Sequence, residues 1–100
     1  MFNQIHVASG LFDKALGMLV PRNQQTLLVL IPCRSIHTFC MKSNLDVAFI
    51  SKEGSVLFSE RNVKAGRVIK QKKAVCVLER YSDVNTYWFE EGQQIRLSVE

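Results

Sequence analysis

A chain of 100 residues, 47% of them apolar, supplies one domain's worth of core, residues 1–100, without needing metal or disulfide staples. Its formal charge of +4 is moderate, and its longest apolar run, Leu27 to Ile31, is far too short to span a bilayer as a helix. Met1 to Gly10 carries no basic stretch followed by an apolar run, so no secretory signal is expected and the default location is cytoplasmic.

In chain order, Phe2 to Val7 reads as a short edge strand, and Asp13 to Leu19 as a short helix despite Gly17, stopped by Pro21. Gln24 to Ile31 is a buried strand closed by Pro32, which cannot donate to a continuing ladder. A polar segment, Cys33 to Asn44, follows. Leu45 to Ser51 is a second strand, Lys52-Glu53-Gly54-Ser55 a turn in which Gly54 takes positive φ, and Val56 to Glu60 the hairpin partner. Ala74 to Arg80 is a third strong strand, with Cys76 as a small buried residue.

Ser82 or Asp83 can cap a short helix running to about Glu91, with Gly92 ending it. Glu90 and Glu91 sit at the wrong end of its dipole, so it must rely on packing of Tyr87, Trp88 or Phe89. Gln94 to Val99 alternates as a last, half-exposed strand. The sum is an α+β domain, mainly antiparallel, with a central hairpin from Leu45 to Glu60 and two short helices.

The motifs Gly17-Met18-Leu19 with Arg22, Cys33-x-Ser35-x-His37-Thr38-Phe39-x-Met41, Leu45-Asp46-Val47-Ala48-Phe49, Gly66-Arg67 and Leu78-Glu79 run in an order that resembles the domain of unknown function 192 family of small bacterial and archaeal proteins. The resemblance covers nearly the whole chain. It implies a compact, β-rich fold with a strongly curved or partly barrelled sheet, and it implies no catalytic mechanism. The chain departs from the family pattern in three places: Cys40 where glycine or a tryptophan-like neighbour is usual, Lys42-Ser43-Asn44 without the proline, and Glu91-Gly92-Gln93 in place of the terminal Gly-Asp.

His37 and Asp46 could approach each other after the turn between them, as a carboxylate orienting an imidazole; equally, Asp46 can cap backbone amides while His37 fixes the loop. Adding Cys33 or Cys40 would complete the parts list of a thiol nucleophile, although no nucleophile motif surrounds either. Three cysteines, with Cys33 and Cys40 six residues apart, match neither a disulfide framework nor zinc spacing, and His6, His37 and Asp46 show no ligand spacing. No metal and no cofactor are therefore expected. Arg34, Ser35, His37 and Thr38 also make sense as a polar pocket for a small anion or a peptide terminus, with Phe39 and Met41 read as core plugs.

Arg61, Lys64, Arg67, Lys70, Lys72 and Lys73 form a basic stretch with no acidic residue among them. No Phe, Tyr or Trp lies between Arg61 and Lys73, so nucleic-acid binding is the third choice here and a solvated loop the bland one. The leading expectation is a non-enzymatic binding or interaction module around Arg34, Ser35, His37, Thr38 and Asp46, taking a small anion, a peptide or a protein. The alternative is a hydrolase-like enzyme using His37 and Asp46.

Overall fold

A computed structural model gives the fold, and residues 4–10 and 25–96 of the chain are described. Seven strands follow in order: β1 (Gln4–Ala8), β2 (Thr26–Leu30), β3 (Ser35–His37), β4 (Leu45–Ser51), β5 (Val56–Val63), β6 (Val68–Lys70) and β7 (Ala74–Tyr81). Five form a sheet in the order β1-β2-β7-β4-β5, and β3 pairs with β6 in a separate two-stranded ribbon. β1 and β2 run parallel, while the other pairings are antiparallel. The large sheet is thus mixed and open, with β1 and β5 as its edges.

The most apolar runs take the centre. β2 and β4 are buried at every position, which is how a strand covered on both faces reads in sequence. Leu28, Leu30, Leu45, Val47, Phe49 and Val77 face one core, into which the ribbon inserts Ile36 and Ile69. Leu27, Val29, Ala48, Ile50, Cys76 and Leu78 face the other, closed by Trp88. Burying Ile36 and Ile69 stabilises the ribbon's seat by roughly 1.5–3 kcal/mol per side chain. The β4–β5 turn carries Gly54 at φ 88°, and a Cβ there would meet the Ile95 carbonyl oxygen.

The α+β expectation is corrected: among the described residues there is no helix, and the sheet does not close into a barrel. The expected helix from Ser82 to Glu91 is an irregular segment because other elements take its backbone groups. Arg61 Nη2 donates to the carbonyls of Asp83 and Thr86, Arg80 Nη2 donates to Asp83 O at 3.2 Å, and the Glu90 amide donates to Gln93 Oε1 at 2.7 Å. Trp88 is drawn into the core, where its indole N–H donates to Val47 O at 3.2 Å.

The expected helix from Asp13 to Leu19 lies outside the described residues. Of the expected strand from Gln94 to Val99, the described part makes only an isolated bridge, Ser55 to Gln94, with the Ile95 amide donating to Gly54 O at 2.8 Å.

Candidate functional site

The structure separates the polar residues that the sequence groups together. Arg34, Ser35, His37 and Thr38 belong to the ribbon, which packs on one face of the large sheet through Ile36. Asp46 alternates with Leu45 and Val47 on β4 and so points to the opposite face, on the side of Ala48 and Trp88.

Asp46 is a fully buried acceptor. Its Oδ1 accepts from the Asn62 amide and the Ser82 hydroxyl, each at 2.9 Å. Its Oδ2 accepts from Arg80 Nε at 2.9 Å and from the Asp83 amide at 3.3 Å, with Arg61 Nε at 4.0 Å. Arg80 in turn lies 4.8 Å from the centre of the Trp88 ring, a cation–π contact. This network ties β4, β5 and β7 to the irregular segment after Tyr81. A shallow polar groove of about 540 Å³, lined by Lys42, Asn44, Asn62, Ser82 and Asp83 among others, lies beside it. His37 is elsewhere: it is exposed and stacks on Phe39 at 5.3 Å and 24°.

Thr38 is buried and pins the ribbon to the turn before β6. Its hydroxyl donates to Lys64 O and accepts from the Arg67 amide, both at 2.8 Å, while its own amide donates to Arg67 O at 2.8 Å. On either side of this anchor the chain is exposed. Ser35 and His37 point outward opposite Lys70 and Val68, the register partners on β6, and Ile36 points in. Phe39 is 48% exposed and Val68 52%. Phe39 is thus not the core plug the sequence suggests, whereas Met41 does pack against the core.

The basic stretch divides in two. Arg67 is held by Glu60, Nη1 to Oε2 at 2.8 Å and Nη2 to Oε1 at 3.1 Å, and the same hydrogen bonds keep the Glu60 carboxyl below its ordinary value. Arg61 is spent on Asp46 and two carbonyls. Lys64, Lys70, Lys72 and Lys73 are exposed and make no ion pair with the described residues. Three of them adjoin the polar segment. Lys70 is opposite Ser35, the Gln71 amide donates to Arg34 O at 2.9 Å, and Arg34, Lys72 and Lys73 line one groove of about 460 Å³ with Pro32, Cys33 and Val75. The sequence offers a signal for this face: Ser35, His37 and Phe39 alternate with Ile36 and Thr38.

Cys33, Cys40 and Cys76 are all thiols. Burial pushes the Cys76 thiol up to about 11, and Cys33 Sγ donates to Ser35 O at 3.3 Å. No group of three or more His, Cys, Asp or Glu side chains suited to a metal occurs among the described residues, and no helix among them is long and apolar enough to cross a membrane. One titratable group was not anticipated. Glu79, on β7 between Leu28 of β2 and Val47 of β4, is buried, and its carboxyl has no hydrogen-bond partner among the described residues. Burial pushes it up to about 7.

An open mixed sheet carrying a short basic ribbon on one face is the class of protein this geometry defines. The chain belongs to the DUF192 family, Uncharacterized ACR, whose model matches residues 3–97. Its fold is similar to that of a protein of unknown function from Novosphingobium aromaticivorans, with a TM-score of 0.68 at 14% identity over 84% of this chain and 66% of that one. It is also similar to a Sinorhizobium meliloti protein described as a "putative transcription regulator", with a TM-score of 0.67 at 15% identity over 78% of this chain and 67% of that one. The chain spans about two thirds of the length of both. No curated protein matches it.

Proposed function

We propose that the protein is a non-enzymatic binding module for an anionic ligand, held on the outer face of the β3–β6 ribbon by Arg34, Ser35, His37, Lys70, Lys72 and Lys73. The observation that carries this reading is the ribbon register. Ser35 opposite Lys70, with Arg34 beside Lys72 and Lys73 in one groove, joins two stretches of polar sequence into one cationic face. Thr38 and Asp46 belong to the framework in this reading: Thr38 fixes the ribbon, and Asp46 closes the far side of the sheet with Arg80.

Inorganic polyphosphate is the probe of choice, because it offers charge without shape. Its affinity falls as salt rises, since exposed charges are screened over about 8–10 Å at physiological ionic strength. Replacing Arg34, Lys70, Lys72 and Lys73 together by alanine weakens it by roughly fourfold to several hundredfold, at ~0.2–1 kcal/mol for each exposed charge contact. Replacing Lys42 and Lys52, which lie off the ribbon, leaves it unchanged. Equal losses from both sets of variants would reject a defined anion face.

A further inference from the structure

We infer that the anion is single-stranded nucleic acid, its phosphates tracking Arg34, Lys70, Lys72 and Lys73 while a base stacks on the platform of Phe39 and His37. This rests on the anion-binding reading and names its ligand class. An anion alone needs only charge, yet the same face presents an aromatic pair stacked at 5.3 Å with rings 24° from parallel. Phe39 remains 48% exposed, and Val68 beside His37 is 52% exposed. The basic stretch has no Phe, Tyr or Trp of its own; the fold supplies Phe39 from the turn that follows β3. Cations beside an exposed ring are the pairing that single-strand binders use, because every base offers a π-face.

The platform is ordered before any ligand arrives. Thr38, between His37 and Phe39 in sequence, is buried and bonded through its hydroxyl and its amide to the Lys64–Arg67 turn, which spares the backbone entropy of ordering this segment on binding. β3, Ser35–His37, is on the order of 10 Å long at a strand rise of ~3.3 Å per residue, with Arg34 before it and Phe39 in the turn after it, room for a few nucleotides. A duplex fits this face less well, because its bases are already stacked on one another and offer no free ring to Phe39. An acidic peptide would use the cations but has no need of a flat, exposed ring.

The test measures binding of a labelled oligothymidylate and of inorganic polyphosphate to the full chain and to Phe39→Ala and Phe39→Trp. Phe39 is half exposed, so its replacement spares the core, and amide spectra of each variant confirm the fold. The expected result is that Phe39→Ala weakens the oligonucleotide roughly tenfold or more while polyphosphate affinity holds, and that Phe39→Trp restores it. If the oligonucleotide binds equally well to Phe39→Ala, the stacking claim is overturned and a bare phosphate track remains. Polyphosphate binding without oligonucleotide binding, or displacement of the oligonucleotide by an equimolar poly-glutamate peptide, overturns nucleic acid as the ligand and leaves the anion face standing. Binding of neither probe overturns both readings.

Discussion

Asp46 and Arg80 are directly opposed across β4 and β7, and their side chains meet at 2.9 Å inside the fold, the carboxylate wholly out of solvent. A buried ion pair holds two costly charges in place only while both are present. Replacing Asp46 by alanine removes the carboxylate that balances the buried Arg80 charge and the acceptor for the Asn62 amide and the Ser82 hydroxyl. The expected loss is about 3–5 kcal/mol in urea denaturation. A loss below about 1 kcal/mol would mean that this network does not hold the sheet.

Glu79 gives stability a pH dependence. Its folded value of about 7 lies above its ordinary one because burial disfavours the charged form. Between those values the folded state binds more protons than the unfolded one, so stability falls as pH rises through roughly 4.5 to 7 and the penalty is complete above 7. The amount is on the order of 3 kcal/mol at ~1.4 kcal/mol per pH unit. Glu79→Gln removes the dependence, and urea midpoints at pH 5 and pH 8 measure it. A wild type equally stable at both would show that Glu79 carries no such penalty.

Thr38→Val keeps the shape of the side chain and removes a hydroxyl that both donates to Lys64 O and accepts from the Arg67 amide. Two part-buried backbone groups lose their partner, and the expected destabilisation is about 1–2 kcal/mol. Hydrogen exchange should show the effect concentrated at the Arg67 amide; uniform acceleration over the large sheet would contradict a local anchor.

Cys40 has φ 66°, in the left-handed region where a Cβ is strained. Cys40→Gly should therefore stabilise the protein by about 0.5–1 kcal/mol, less than the full strain because glycine also gains freedom when unfolded. Thermal denaturation decides it, and a lower melting temperature would mean that the Cys40 side chain makes contacts worth more than the strain.

The hairpin of β4 and β5 was legible in sequence because alternation and Gly54 act locally, and β7 because its run is apolar and β-branched. The ribbon was not. β3 and β6 have three residues each, so the alternation around Ile36 is too short to tell a strand from a loop, and Lys70 with the following Lys72 and Lys73 reads as loop. The helix expected after Tyr81 failed for a long-range reason: Arg61 and Arg80 reach into the segment and take carbonyls that a helix would use. Parallel pairing of β1 with β2 depends on the crossover between them, which strand patterning does not encode. At the site, Arg34, Ser35 and His37 were recognisable as neighbours in one polar segment, without the strand that carries two of them. That Asp46 belongs to Arg80, 34 positions away, depends on strand order in the sheet.

The most direct test of the anion face is an amide-resolved NMR titration of the labelled chain with inorganic polyphosphate at low and high salt. The account predicts shifts confined to residues 34–39 and 68–73, fading as salt rises. Shifts centred instead on Lys42, Asn44, Ser82 and Asp83, in the polar groove beside Asp46, would place the ligand on the wrong side of the sheet and contradict it.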